Sequence, residues 1–396
     1  MKTLKLKDGL YFAGILDSNL RVFDIVMYTE FGTTYNSYIL KGSEKTALIE
    51  TAKAKFFDDY LNSINEIDDV KNIDYIIVNH TEPDHAGSVE KLVQINPEIT
   101  VVGTPTALTY LKNIVNAPFK SQAVKDGDSL SLGGKTLRFM TVPNLHWPDT
   151  MYTYSEEDKV LFTCDSFGSH YSFSEILRSK VTDTDGYMRA TKYYFDNIIG
   201  PFKEKFMTRA LNKISTLDID MICTGHGPVL DSNIDELIDI YKSWCAVPKN
   251  DKKKVVIAFV SAYGYTKELA QNIEKGIKLQ ADIDVKLFDM QDTSLDTVMT
   301  EITASDGILL GSPTILSDAL KPIWDITSSM FPITHGGKVA GAFGSYGWSG
   351  EAVPNITERL KQLKMKTVDG FRVKFKPNED ELNQAIEFGK EFAEKL

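Results

Sequence analysis

The sequence predicts a multi-domain α/β protein whose two domains differ in architecture. After a lysine-rich polar segment at residues 247–254, five apolar strands alternate with helices, which predicts a doubly wound parallel five-stranded sheet. Before that segment, short β-rich runs broken by Gly, Asp and Asn are mixed with helical patterns. A proline followed by charged residues is typical of a domain boundary, so we predict domains at residues 1–249 and 250–396.

The first domain is predicted to contain strands and helices in an irregular order. Apolar and alternating runs predict strands over residues 9–14, 23–27, 35–40, 46–49, 73–78, 99–102, 129–132, 135–142, 159–163 and 219–224. Helical spacing of apolar residues predicts helices over residues 53–67, 87–94, 105–114 and 233–245. Residues 186–216 are predicted to be mostly helical, in the segments 187–194 and 203–217.

In the second domain, predicted strands and helices alternate more regularly. Its strands are predicted over residues 255–260, 283–288, 307–310, 339–343 and 371–375. Its helices are predicted over residues 266–279, 293–304, 318–330, 351–364 and 379–395.

Composition excludes several classes of partner and location. A formal net charge of −11 argues against nucleic acid, because phosphate backbones are bound by clustered Lys and Arg. Three widely separated cysteines without a CxxC pair fit a reducing cytoplasm and exclude a cysteine-ligated cluster within this chain. The N-terminus lacks the apolar core of a signal peptide, and no apolar run approaches the roughly 20 residues of a membrane span. We therefore expect a cytoplasmic protein that does not cross a membrane.

A dense group of possible metal ligands follows the predicted strand at residues 73–78. His80, Glu82, Asp84 and His85 lie within six residues of one another. Carboxylates packed together repel each other unless a cation lies between them. A mixture of imidazole and carboxylate ligands suits zinc or iron, whereas calcium and magnesium prefer oxygen alone. The alternative is a polar loop that binds nothing.

Further possible ligands follow three later strands. His146 comes after the strand at 135–142, Asp165 after the strand at 159–163, and His226 after the strand at 219–224. Alone, each histidine is more often a core or surface residue. Because loops at one edge of a rigid sheet present reactive side chains, the repeated placement predicts that these residues and the first group form one metal site.

The loop after the first strand of the second domain is typical of a phosphate site. Hydroxyls and backbone N–H groups at a helix N-terminus bind anions, and a glycine lets the ligand approach the backbone. The motif is neither GxGxxG nor Walker A, so a single phosphate monoester is favoured. The loop residues are Ser261, Ala262, Tyr263, Gly264, Tyr265 and Thr266.

Two later loops of this domain should meet the phosphate loop at the same edge of the sheet. The first loop comprises Ser312, Pro313, Thr314 and Ile315. The second comprises Ser345, Tyr346, Gly347, Trp348, Ser349 and Gly350. Aromatic rings here can stack on a planar ring, although they could instead be packing or interface residues. The phosphate loop, the strand order and the aromatic loop together resemble the flavodoxin family, which implies bound FMN.

The first domain resembles the metallo-β-lactamase fold, an αββα sandwich with a dinuclear metal site at one edge. Zinc hydrolases of that fold usually carry H-x-H-x-D-H, whereas this chain has Glu82 in place of the second histidine. A carboxylate there favours ferric iron over softer ions. With the flavodoxin-like domain, the whole chain resembles the flavodiiron proteins, or A-type flavoproteins. The resemblance rests on the segments at residues 32–38, 80–85, 144–149, 164–168 and 225–228.

The resemblance also implies roles for individual residues. One non-haem iron is expected at His80, Glu82 and His146, and the other at Asp84, His85 and His226, with Asp165 bridging the two. His170 and either Tyr193 or Tyr194 are expected to line the substrate pocket. Many relatives have a histidine after the L-R-x-F phrase, whereas this chain has Asp24.

The implied function is electron-driven reduction of O2 to water, of NO to N2O, or of both, with FMN as the electron relay. The resemblance further implies a head-to-tail homodimer or a dimer of dimers, with electrons from rubredoxin or a reduced coenzyme. One alternative is a dinuclear zinc hydrolase with an accessory flavodoxin-like domain, which leaves Glu82 unexplained. Another is an electron carrier with a degenerate metal domain, against which the seven intact candidate ligands speak.

Overall fold

The computed structural model describes residues 3–25, 27–246, 252–280 and 282–396. The chain divides into two compact units, residues 1–247 and 248–396. The predicted boundary at residues 249 and 250 lies outside the described residues, and it therefore stays a prediction.

The first unit contains strands and helices in the order of a mixed α/β domain. Its strands are β1 (Leu4–Lys7), β2 (Leu10–Phe12), β3 (Ile15–Asp17), β4 (Val22–Phe23), β5 (Met27–Tyr28), β6 (Thr33–Tyr35), β7 (Tyr38–Lys41), β8 (Thr46–Ile49), β9 (Tyr75–Ile77), β10 (Thr100–Gly103), β11 (Lys120–Ala123), β12 (Ser129–Ser131), β13 (Thr136–Thr141), β14 (Met151–Ser155), β15 (Val160–Cys164) and β16 (Met221–Thr224). Its helices are α1 (Phe57–Ile67), α2 (Pro83–Ala86), α3 (Val89–Ile95), α4 (Pro105–Val115), α5 (Thr184–Tyr194), α6 (Thr208–Ile214) and α7 (Ile234–Cys245).

Two sheets of this unit pack face to face with helices on both outer sides. One sheet has the order β1-β2-β7-β8-β9-β10-β11 and the other β12-β13-β14-β15-β16 among the described residues. The layer between the sheets includes the buried rings of Phe12, Tyr38, Phe139 and Phe162. Separate apolar layers lie between each sheet and its helices. This is the αββα sandwich that the sequence predicted.

One strand prediction in the first unit was wrong, and several strands, including β14, were not predicted. Residues 23–27 do not form one strand, because β4 and β5 pair antiparallel around a turn in which Asp24 and Ile25 have φ of 47° and 68°. No glycine or proline marks this turn, so the apolar pattern looks continuous. Strand β14 was not predicted, although its five residues are all buried in the middle of the second sheet.

The helical region predicted over residues 186–216 is interrupted in its centre. π-Helical turns at Phe195–Ile199 and Lys203–Met207 flank a short 3₁₀ turn at Gly200–Phe202. Pro201 has no N–H to donate, so a regular α-helix loses a hydrogen bond there. Widened turns of this kind redirect side chains. The first of them lies between Tyr194 and Phe202, both of which pack against histidines of the first unit.

The second unit is a doubly wound parallel sheet. Its strands are β17 (Lys254–Phe259), β18 (Asp284–Asp289), β19 (Gly307–Gly311), β20 (Val339–Tyr346), β21 (Lys366–Thr367) and β22 (Phe371–Lys374). Its helices are α8 (Tyr265–Gln280), α9 (Leu295–Thr303), α10 (Lys321–Ser329), α11 (Pro332–His335), α12 (Ala352–Gln362) and α13 (Glu379–Ala393).

The strand order β18-β17-β19-β20 confirms the predicted winding of this sheet. The predicted fifth strand is β22, which pairs with the end of β20, and a short further strand that was not predicted, β21, pairs with the beginning of β20. All of these pairings are parallel, so the loops after β17, β19 and β20 leave the sheet at one edge. In the described part of the chain, none of the helices has both the length and the apolar content that a bilayer span requires.

Candidate metal centre and cofactor crevice

Seven ligand-type side chains of the first unit meet at one edge of the sandwich. Each of β9, β13, β15 and β16 ends shortly before one of them, and the short helix α2 carries two more. Five of the seven are 4% exposed or less, whereas Glu82 and His146 keep 15% and 17% of their side-chain surface accessible. The cluster is therefore mostly buried, and Glu82 and His146 are its most accessible members.

The first group of ligand atoms comes from His80, Glu82, His146 and Asp165. Nε2 of His146 lies 2.8 Å from Oε2 of Glu82 and 2.9 Å from Oδ2 of Asp165. Nε2 of His80 lies 3.4 Å from each of the same two oxygens. Four ligand atoms facing one point at this spacing can hold a metal ion.

The second group comes from Asp84, His85 and His226, joined by the other oxygen of Asp165. Nε2 of His226 lies 3.2 Å from Oδ2 of Asp84, and Nε2 of His85 lies 3.3 Å from Oδ1 of Asp165. The Asp165 carboxylate thus presents one oxygen to each group. This is the arrangement that a carboxylate bridging two metal ions requires.

Unsatisfied polar atoms indicate that the pocket is built for cations. Both carboxylate oxygens of Asp84 and Oδ1 of Asp165 are buried and have no hydrogen-bond partner in the described part of the chain. Burial alone lowers the pKa of His85, but Asp84 and Asp165 raise it to about 9. Burial also lowers the pKa of His146, but Asp165 and Glu82 raise it to about 9. The carboxylates therefore create a potential that stabilises positive charge, and two metal ions fit this donor set.

Outer contacts orient the ligating rings. Nδ1 of His226 donates to the backbone carbonyl of Thr34 at 2.5 Å, which directs Nε2 toward the second group. Nδ1 of His80 lies 2.6 Å from the buried Sγ of Cys164. Glu50 accepts a hydrogen bond from the backbone N–H of Asn79, and burial raises the pKa of Glu50 to about 7 against the opposing influence of His85 and His80.

Sequence reasoning missed these supporting residues. A backbone carbonyl such as that of Thr34 leaves no trace in residue type, because every residue has one. Glu50 follows directly after the buried strand β8. That placement is the same signal that identified the histidines, and it could have marked Glu50.

His170 and Tyr194 lie beside the second group, whereas Tyr193 does not. The ring of His170 is 5.2 Å from that of His226, and its Nδ1 is 2.8 Å from Oγ1 of Thr33. Tyr194 packs edge-on against His170 at 4.9 Å, and its buried hydroxyl has no hydrogen-bond partner in the part of the chain described. Tyr193, the neighbouring residue, is 42% exposed.

Asp24 lies at the rim of the metal cluster. Burial, together with the charges of Glu82 and Asp84, raises the pKa of Asp24. Its carboxylate is 3.9 Å from the Lys53 ammonium group. The negative charge of Asp24 is therefore disfavoured beside the ligand Glu82.

In the second unit, the three loops at the carboxyl edge of the sheet meet as the sequence predicted. Oγ1 of Thr266 is 3.1 Å from Oγ of Ser345, and the N–H of Thr314 donates to the carbonyl of Ser345 at 2.9 Å. The N–H of Ala352 donates to Oγ1 of Thr314. One hydrogen-bonded framework therefore links residues from all three loops.

The framework leaves room for a phosphate and a planar ring. Ser261 Oγ accepts a hydrogen bond from the N–H of Lys267 in the first turn of α8, near the positive end of that helix. Gly264 has a φ of +85°, and a Cβ there would meet no atom within 4 Å. Tyr263 and Trp348 are 80% and 94% exposed, so their ring faces are accessible for stacking. These features fit a flavin mononucleotide.

Both units match known family models. Residues 33–227 match the ODP family beta lactamase model, and residues 257–389 match the flavodoxin model.

Named relatives match along the whole chain. The chain is 40% identical over 402 residues to the flavo-diiron protein FprA2 of Clostridium acetobutylicum, covering 100% of both proteins. It is 39% identical over 396 residues to the type A flavoprotein fprA of Rhodobacter capsulatus, covering 98% of this chain and 90% of the relative.

Solved structures are similar over the whole chain as well. The flavodiiron protein from Giardia intestinalis has a TM-score of 0.68 at 30% identity, covering 100% of this chain and 97% of that one. The rubredoxin oxygen:oxidoreductase from Desulfovibrio gigas has a TM-score of 0.69 at 27% identity, covering 100% of this chain and 98% of that one.

Proposed function

This chain belongs to the flavodiiron family of oxidoreductases, and we propose that it reduces O2 to water, NO to N2O, or both, at the metal centre of its first unit. The observation that carries the proposal is the Asp165 carboxylate, whose two oxygens face separate groups of buried imidazole and carboxylate ligands. The family has a diiron centre and FMN, and the donor atoms and the crevice described above fit both.

We assign the two irons to the two groups of side chains. His80, Glu82 and His146 would hold one ion, Asp84, His85 and His226 would hold the other, and Asp165 would offer one carboxylate oxygen to each group. When bound, the irons and the reduced flavin together supply the four electrons that O2 requires or the two that a pair of NO molecules requires. The zinc hydrolase alternative leaves both Glu82 and the flavin-binding unit without a role.

The surrounding groups orient the ligands and offer a hydrogen bond at the site. The Thr34 carbonyl fixes the ring orientation of His226, so that Nε2 rather than Nδ1 faces the ion. The buried Tyr194 hydroxyl next to His170 is placed to donate a hydrogen bond to a small molecule beside the second group. Burial and the neighbouring His226 lower the pKa of His170, so its imidazole is neutral near pH 7.

FMN is assigned to the crevice of the second unit. The loop from Ser261 to Thr266 would bind the phosphate, and the loop from Ser312 to Ile315 and the loop that carries Tyr346 and Trp348 would contact the flavin ring system. The helix dipole of α8 and the backbone N–H groups of its first turn stabilise the phosphate dianion.

The remaining proposals concern partners and location. By resemblance to the family, we assign a head-to-tail homodimer or a dimer of dimers, in which the flavin of one chain serves the irons of its partner. The similarity to the rubredoxin oxygen:oxidoreductase from Desulfovibrio gigas supports rubredoxin as the electron donor, with a reduced coenzyme as the other candidate. The three buried free cysteines fit a cytoplasmic location.

The deciding experiment is anaerobic stopped-flow mixing of the fully reduced protein with O2 and, separately, with NO. We expect two irons per chain and rapid reoxidation of the flavin by at least one gas, and the ratio of the two rates identifies the preferred substrate. A matched Asp165→Asn protein should retain FMN but lose this reoxidation. Zinc in the wild-type site, with a flavin indifferent to both gases, would refute the proposal.

The dimer is tested by dilution. Turnover per chain should fall as the protein is diluted below the dissociation constant of the dimer, as followed by analytical ultracentrifugation. A monomer with full turnover would contradict the assignment.

A further inference from the structure

A cleft of about 330 Å³ opens next to the metal centre, within the first unit. One water occupies about 30 Å³ of liquid volume, so the cleft has room for several molecules of the size of O2 or NO. Its walls come from the segment that follows the β4–β5 hairpin and from helix α5. None of the seven assigned metal ligands lines it.

The outer end of the cleft is exposed. Tyr28 and Tyr193 contribute rings that are 61% and 42% exposed. Glu30 and Arg189 face each other across it with an N–O distance of 3.3 Å, and more than half of each side chain is in solvent. An ion pair so exposed contributes little stability, so it does not keep the cleft closed.

The inner end of the cleft is buried and ends at His170, which packs against a metal ligand. Thr29 and His170 are 1% and 3% exposed, and the ring of His170 contacts that of His226 at 5.2 Å. Nε2 of His170 is buried and has no hydrogen-bond partner among the described residues, since its other nitrogen bonds Thr33. One imidazole thus separates the floor of the cleft from a ligand of the second group.

Ala190, a small side chain on α5, also lines the cleft. Tyrosine rings, a threonine and an alanine make a wall that suits a small apolar molecule better than an ion. We propose that this cleft is the route by which the gas reaches the metal centre, with His170 at its inner end and the Glu30–Arg189 pair at its mouth. The inference rests on the proposed gas reductase function.

The test fills the cleft without touching a ligand. An Ala190→Trp protein, loaded with iron and FMN, is compared with the wild type and with Met188→Trp, which lies on the opposite side of the same helix by the helical period. We expect kcat/KM for the gas to fall about tenfold in Ala190→Trp. We expect kcat at saturating gas, iron content and the flavin spectrum to stay unchanged. Met188→Trp should behave as wild type.

A second measurement does not depend on activity. Crystals of the wild type under xenon pressure should bind xenon in the cleft, and crystals of Ala190→Trp should not. If Ala190→Trp fails to fold, Ala190→Leu should give a smaller decrease of kcat/KM and partial xenon occupancy.

These outcomes distinguish a failure of the proposed gas route from a failure of the proposed reductase function. If the wild type is active and Ala190→Trp has the same kcat/KM, the proposed route is refuted. The same holds if the cleft of an active wild type binds no xenon. Neither result affects the proposed function. A wild type that consumes neither gas overturns both.

Discussion

The Nε2 atoms of His85 and His226 lie 3.1 Å apart, although the two residues are 141 positions apart in the sequence. Two nitrogens about 2.1 Å from one metal ion and at about a right angle to each other are separated by about 3 Å. Both rings are buried, and the carboxylate of Asp84 is within 3.5 Å of each of these nitrogens. The pair therefore already has the spacing of two ligands of a single ion.

Loss of the bridging carboxylate should affect both metal positions. In Asp165→Asn we expect iron content to fall from two per chain toward zero, because one oxygen of Asp165 faces each ligand group. Removing an outer-shell partner alone weakens metal binding about 10–100-fold, so losing a shared ligand should cost more. Asp84→Asn is the matched control, and it should lose mainly one iron. Equal iron content in the two variants, measured by mass spectrometry, would contradict the bridging role.

Phosphate binding should depend on the hydroxyl of Ser261. In Ser261→Ala we expect the Kd for FMN to rise about tenfold or more, because a hydrogen bond to a charged group contributes about 1.5–3 kcal/mol. Riboflavin has the same ring system without the phosphate, so its Kd should change little. Quenching of flavin fluorescence measures both constants. A parallel loss of affinity for the two flavins would place Ser261 away from the phosphate.

Close packing of α8 against α13 should make one glycine irreplaceable. A Cβ on Gly276 would come 1.9 Å from the carbonyl oxygen of Ile386, where no side-chain movement can relieve the clash. Replacing glycine by alanine inside a helix usually stabilises by about 0.5–1 kcal/mol, but Gly276→Ala should destabilise by about 1–3 kcal/mol. Gln271→Ala, at an exposed position of the same helix, is the control. Chemical denaturation measures both, and a stabilised Gly276→Ala would show that these helices separate easily.

Stability of the second unit should fall at acid pH through His335. Burial lowers the pKa of His335 relative to an exposed histidine, with the nearby Lys338 acting in the same direction and the Phe331 backbone opposing it. The unfolded chain binds the proton first, so this contribution is complete above about pH 6.5 and is lost as the pH falls below it. One proton limits the slope to about 1.4 kcal/mol per pH unit. The denaturation midpoint of His335→Gln should fall less steeply between pH 7.5 and 5.5 than that of the wild type. Identical slopes would assign the effect to other groups.

Local residue patterns were sufficient for most of the fold. The strands of the second unit are short apolar runs between helical patterns, so their existence and winding follow from periodicity alone. The turn at Asp24 and Ile25 was missed because neither residue type favours a left-handed backbone as strongly as glycine does. The π-helical turn at Lys203–Met207 was missed because helical spacing of apolar residues does not distinguish an α-helix from a locally widened one.

The sequence by itself determined which donor atoms are available and that they follow strand ends: imidazoles and carboxylates in one domain, hydroxyls and glycines in the other. Only the tertiary structure decided that Asp165 faces two ligand groups, that the Thr34 carbonyl orients His226, and that a cleft leads to His170. The physical reason is that residue type sets the chemistry of a side chain, whereas its partners depend on strand order and register. Those are fixed by packing between segments that are far apart in the chain.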